Sequence, residues 1–149
     1  MHIITQSLPR KMLLGWWFAG QLLLITAWGC GQRLPTYPVS GVVQFSDGRP
    51  VRSGTIELES VVHGTAATGT VQRDGTFVLG TYRAADGAVV GEHRAIVVQL
   101  IVNDGSIQHT TDHGGRVPPR YGDYASSPLK VTVLPQAANE VSIIINDQP

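Results

Sequence analysis

The sequence predicts an all-β domain, a sandwich or a barrel, behind an N-terminal signal helix. Three observations carry that reading. Apolar residues recur with period two in run after run, and after residue 30 no stretch repeats them at helical spacing. Gly, Pro, Asn and Asp cluster between the runs, where strands would have to turn. The Asp-Gly pair itself recurs at Asp47-Gly48, Asp74-Gly75, Asp86-Gly87 and Asp104-Gly105.

The leader stands apart from that domain. "MHIITQSLPRK" carries Arg10 and Lys11, and "MLLGWWFAGQLLLITAW" then runs apolar but for Gln21. A basic start, an apolar stretch and small residues before a cut make a secretory signal. Its apolar part is also at the lower edge of a membrane-spanning length, so a retained transmembrane anchor is the alternative. Cys30, the chain's single cysteine, follows directly in "ITAWGCGQ". This resembles the lipobox of bacterial lipoproteins, in which a small residue precedes a cysteine that is lipidated and becomes the new N-terminus. Gly29 suits the position before the cut, while Trp28 and Ala27 depart from the commonest pattern. The resemblance implies a signal peptide over 1–29, a lipidated Cys30 with a short tether over 30–37, and a folded domain over 38–149. Multiple acyl chains would hold the chain to a membrane, placing it in the cell envelope, facing periplasm or cell surface.

One cysteine allows no intrachain disulfide, so burial must hold the domain together. Arg10 and Lys11 belong to the leader. Of eleven Lys and Arg, nine therefore remain beyond it, against all eleven Asp and Glu, a net charge near −2. That balance argues against a nucleic-acid partner and against a polybasic membrane patch. All three Trp also lie in the leader.

The strands follow in order. "YPVSGVVQF" puts Tyr37, Val39, Gly41, Val43 and Phe45 on one face, and "GTIELES" turns Ile56 and Leu58 inward with Glu57 and Glu59 outward. "EHRAIVVQLIV" presents Ile96, Val98, Leu100 and Val102 on one face, and Val97 and Ile101 on the other. His93 reads there as a surface or edge histidine. "LKVTV" offers Leu129, Val131 and Val133, and "EVSIIIN" offers Val141, Ile143 and Ile145.

Register decides what the Asp-Gly pairs do. A two-residue loop at Asp74-Gly75 would set Gln72 opposite Phe77 and Thr70 opposite Leu79, mixing polar and apolar on one face. A three-residue loop, Arg73-Asp74-Gly75 with Gly75 left-handed, instead sets Val71 opposite Phe77 and Gly69 opposite Leu79. Only the second sorts the side chains. Asp74 and Gly75, like Asp47 and Gly48, thus read as structural turns: glycine takes positive φ cheaply, and the carboxylate bonds nearby amides. Calcium is the rival reading, but each Asp stands alone, without the clustered oxygen ligands of a calcium loop.

With strands and turns placed, the chain resembles the carboxypeptidase regulatory-like domain. The residues that carry the likeness are "VSGVVQFSDGRPVRSGTIEL", "TGTVQRDGTFVLG" and "DGAVVGEHRAIVV", followed by "VPPRYGDYASSPLKVTVLPQAANEVSIII". The last is similar to the ending of short bacterial lipoproteins, notably from planctomycetes, where a final two-stranded hairpin closes the domain. The resemblance implies a transthyretin-like Greek-key β-sandwich of about seven strands. It also implies a non-catalytic companion module with structural, adhesive or ligand-binding roles. A protein or carbohydrate ligand is the kind of partner it implies, with no cofactor. Transthyretin-like hydroxyisourate hydrolases end in Y-R-G-S, whereas this chain ends "INDQP".

Other constellations point elsewhere. His109 and His113 in "HTTDHGG" are four apart with Asp112 between them, and on a helix that spacing could hold zinc. Thr, Gly and Asn around them make a poor helix, so a loop is the plainer reading; a periplasmic metal-binding protein or metal-dependent activity is the alternative function. Glu57 and Glu59 share a strand face at a separation that could serve glycoside hydrolysis, though charges on a wet strand face explain them with less. Tyr121 and Tyr124 read as packing a long loop, 103–127, onto the sheets with wet hydroxyls. "VPPRY" is alternatively an exposed polyproline ligand. No nucleophile elbow, phosphate loop or zinc-type cysteine pair occurs. The expectation is therefore a non-enzymatic, membrane-tethered β module.

Overall fold

The computed structural model describes residues 33–99 and 115–147. The chain divides into two units, Met1–Arg33 and Leu34–Pro149, and the architecture is that of the second. The leader, Cys30, Leu100 to Val102, Asp104-Gly105, His109, Asp112 and His113 all lie outside the described residues.

Among those residues the chain forms strands and one 3-10 turn, Pro119–Gly122. In chain order the strands are β1 (Thr36–Tyr37), β2 (Val39–Phe45), β3 (Gly54–Ser60), β4 (Ala66–Val71), β5 (Thr76–Val78), β6 (Ala88–Val89), β7 (Gly91–Val98), β8 (Lys130–Val133) and β9 (Asn139–Ile145). They build a three-stranded sheet β5-β2-β9, a four-stranded sheet β4-β3-β7-β8, and a two-stranded ladder β1-β6. Most pairs are antiparallel; β9 lies parallel to β2 over the whole run Val39↔Asn139 to Phe45↔Ile145. The fold is all-β.

Alternation explains the core. Val39, Val43 and Phe45 of β2, Phe77 of β5 and Ile143 and Ile145 of β9 share one buried cluster with Ile56, Leu58, Ala95, Val97, Val131 and Val133 of the larger sheet. Each fully buried Val, Leu, Ile or Phe stabilises the fold by about 1.5–3 kcal/mol over exposure. Within the smaller sheet β2 is hemmed in by both neighbours at Gly41, where a Cβ would lie 1.9 Å from the Val141 carbonyl oxygen of β9 and 2.9 Å from Cζ of Phe77 of β5. Only glycine fits there.

Register gives the domain two distinct ends. β2, β4, β7 and β9 start at one end, here the upper, where β3 and β8 end. Residues 61–65, 79–90 and 134–138 turn at this upper end, and the chain from Leu34 arrives there through β1. Turns 46–50 and 72–75 and the segment from Gly115 lie at the lower end.

Three strand details differ from the sequence reading. On β7 the buried residues are His93, Ala95 and Val97, while Ile96 is half-buried and Val98 exposed. Both faces of this strand are apolar in sequence, and pairing with β3 on one side and β8 on the other fixes which one turns inward. β8 and β9 are not a hairpin: β8 pairs with β7, and the chain crosses to the other sheet to lay β9 beside β2. Likewise β4 and β5 keep the Val71-to-Phe77 register at both ends, through Gln72 N–H to Thr76 O (2.8 Å) and the Thr68–Gly80 bridge, yet each joins a different sheet.

Candidate functional site

At the lower end Phe45 ends β2 and the chain turns through Asp47-Gly48. Gly48 sits at φ 86°. The Asp47 carboxylate accepts from Arg49 N–H (3.0 Å) and from Arg49 Nε (2.5 Å), and Arg49 reaches Asp147 (3.1 Å) while lying over the Phe45 ring. The backbone N–H of Arg49, and then its guanidinium, hold the Asp47 carboxyl below the usual carboxylate range.

Asp74 and Gly75 turn beside them. Gly75 has φ 84°, and its N–H donates to Gln72 O at 2.9 Å, closing the three-residue loop. A Cβ there would stand 2.6 Å from Val43 O, because Val43 N–H donates to Gly75 O. Asp74 Oδ1 accepts from the Thr76 hydroxyl (2.7 Å) and from Thr76 N–H (3.0 Å), and those two bonds lower its pKa. Each carboxylate is thus occupied by its own turn. Asp86 works harder: its two oxygens accept from the N–H groups of Thr81 (2.6 Å), Tyr82 (3.1 Å) and Arg83 (2.9 Å), knotting the upper loop before β6.

The outer face of the larger sheet gathers the remaining chemistry. Arg94 of β7 pairs with Glu59 of β3 and lies 5.2 Å over the Tyr124 ring. The Tyr124 hydroxyl donates to Glu57 Oε1 at 2.9 Å. Burial first, and then the bond to Glu57, push the Tyr124 phenol well above its ordinary range, so it is a donor and not a base near neutral pH. Tyr121 is fully buried, and its hydroxyl accepts from Asn146 N–H at 3.0 Å. The Tyr121 hydroxyl is therefore not wet, and that of Tyr124 is held by Glu57. The segment from Gly115 therefore packs as a strap: Gln99 clamps its start through Gly115 O (3.1 Å) and Val117 N–H (3.0 Å), and Ser127 donates to Ala95 O (2.6 Å).

Two buried polar side chains escaped the sequence reading. His93 is 1% exposed, so it is a core histidine and not a surface or edge one. Its Nδ1–H donates to Gly91 O at 3.0 Å, while Nε2 meets no hydrogen-bond partner among the described residues. Burial pushes its pKa down, with the Gly91 bond opposing and nearby His63 adding to the effect. Asn139, at the start of β9, accepts from Leu134 N–H (2.9 Å) and donates to Leu134 O (3.1 Å) and Pro38 O (3.2 Å). It pins the sheet-to-sheet crossing. Asn after a turn in "PQAANE" was its only signal, and that pattern marks turns in general.

A shallow open depression crosses the outer face of the three-stranded sheet, over Gly41 and between Ser40, Thr76, Val78, Glu140 and Ser142. Among the described residues no group of three or more His, Cys, Asp or Glu could hold a metal ion. Compared with protein-family models, with curated proteins and with solved structures, the chain has no significant match.

Proposed function

We propose that the chain is a non-enzymatic cell-envelope lipoprotein, tethered to a membrane through lipidated Cys30, that displays a Greek-key, transthyretin-like β-sandwich as a structural or interaction module. One observation supports the module reading above others: seven strands in a three- and a four-stranded sheet share one core, with the last strand laid parallel beside β2. The polar groups that could have been read as chemistry also serve the fold. Asp47, Asp74 and Asp86 cap their turns, and Glu57 and Glu59 are bound by Tyr124 and Arg94.

The partner class is a protein or carbohydrate ligand; the fold does not name it. Leu34 to Tyr37, at the end of the tether, fold with the domain: Thr36 pairs with Val89, and Leu34 N–H donates to the Tyr82 hydroxyl at 3.1 Å. The tether assigned to residues 30–37 is thus in part a strand of the domain. Feeding cells a fatty-acid probe tests the anchor. The full chain should take up label and Cys30→Ala should lose it; label persisting in that variant would remove the lipoprotein reading.

A further inference from the structure

The upper end of the domain carries an apolar patch that the fold does not use. Val61 is 59% exposed, Val62 77%, Val90 43% and Leu134 50%. Pairing brings them together. Val61 N–H donates to Glu92 O, continuing the β3–β7 register by one residue beyond Ser60↔His93. Continuing the β7–β8 register one residue past Gly91↔Val133 sets Val90 opposite Leu134. By alternation Val61, Val90 and Leu134 fall on the outer side of the sheet's upper margin, with Val62 at the adjoining turn. Neighbouring strands stand about 4.8 Å apart, so Val90 and Leu134 lie side by side, with Val61 and Val62 one strand over across Glu92, on the same margin.

The path of the chain says what faces that patch. Thr36 pairs with Val89, so the backbone that follows the tether reaches the domain beside Val90. Cys30 lies six residues before Thr36, a reach of about 20 Å at full extension. We propose that this upper end seats on a lipid surface, Val62 and Val61 entering the bilayer interface with Val90 and Leu134 behind them. The inference rests on the lipid-anchored reading and deepens it: the tether would then hold the domain in one orientation.

The chemistry selects a zwitterionic lipid surface. Exposed aliphatic side chains at a sheet margin and its turn suit the boundary between headgroups and acyl chains. The charges around them are mixed: Glu92 lies between Val61 and the Val90–Leu134 pair, Glu140 starts β9, and His63 and Arg83 stand nearby in the upper loops, all exposed. Among the described residues no basic cluster favours anionic lipid there. Four aliphatic side chains are also too few to bury the roughly 800 Å² per partner that a stable protein interface takes.

The test uses the full chain, reconstituted into vesicles of phosphatidylcholine and phosphatidylethanolamine with and without nitroxide-bearing lipid. An environment-sensitive fluorophore is attached through Val62→Cys, or through Arg73→Cys at the lower end, and the parent chain carried through the same labelling corrects for Cys30. The position-62 signal should shift to the blue and be quenched by the lipid nitroxide several-fold more than the position-73 signal. If the chain sediments with the vesicles but both positions are equally open to aqueous iodide and untouched by the nitroxide, the inference falls and the anchor stands. A blue shift that follows protein concentration and ignores the nitroxide would mean a second copy covers the patch, and overturns it too. A chain that does not sediment with vesicles at all removes the anchor reading and this inference together.

Discussion

At the lower end of the domain, side chains are spent on holding turns. Asp47 and Asp74 bond backbone amides, Arg49 bridges two aspartates, and the Tyr121 hydroxyl takes the N–H that follows β9. At the upper end, Asp86 and Asn139 fasten the backbone from within, and Val61, Val62, Val90 and Leu134 stand exposed. Both ends reverse the chain, so geometry alone does not demand the difference. A lower end built from local polar bonds is suited to water. An upper end fastened internally can expose apolar surface without loosening, which is what a surface that meets something else requires.

The contrast can be broken most sharply with glycines. Gly75→Val should destabilise the domain by about 3 kcal/mol, from positive φ joined to the close approach of Val43 O and Pro50. At the upper end Gly64 also has positive φ, 61°, but nothing lies within 4 Å of its Cβ position. Gly64→Ala should therefore cost only about 1 kcal/mol, the conformational part alone. Urea midpoints of the two variants measure the gap, and equal losses would refute a tightly packed lower turn.

Asn139→Ala comes next, at about 2 kcal/mol, because it leaves Leu134 N–H and the Leu134 and Pro38 carbonyls without their side-chain partner. A loss below about 0.5 kcal/mol would mean the crossing holds without its pin.

His93 gives a pH signature. The folded form holds its pKa below 6.5, so the unfolded chain binds the proton first as pH falls. Its contribution to stability is full above that value and declines from about pH 6.5 downward, until pH passes the lowered folded pKa. The slope is at most about 1.4 kcal/mol per pH unit for one proton. His93→Leu should flatten this part of the stability–pH curve, and an unchanged curve would show that other groups cause it.

Smallest of all is the effect of Val61→Ser with Val62→Ser. Both side chains are exposed, so the midpoint should move by less than about 0.5 kcal/mol. A larger loss would show the tip to be part of the fold after all.

Period-two alternation made most strand interiors legible, since it names Val43, Phe45, Ile56, Leu58, Val131 and Ile143 as inward without any partner strand. Side-chain sorting was enough to choose a three-residue loop at Gly75, a local decision. What stayed hidden depends on pairing between distant segments. The inward face of β7, and with it the burial of His93, follows from neighbours thirty residues or more away in sequence: Ser60 on one side, Val131 on the other. Nothing within "LKVTVLPQAANEVSIII" distinguishes a hairpin from a crossing between sheets, because both need the same turn residues. The Tyr121 hydroxyl was misjudged for a related reason: its partner, Asn146, lies 25 residues on in sequence.

The parallel seam between β2 and β9 also sets a timetable. Residues near 40 wait for residues near 140 before the smaller sheet can close, and such distant pairings are slow because a long loop must be shut before any contact rewards it. A polypeptide delivered from its N-terminus therefore remains open-sided until its last strand emerges. That delay leaves the smaller sheet one strand short, and part of the shared core uncovered, until the segment near residue 140 is in place.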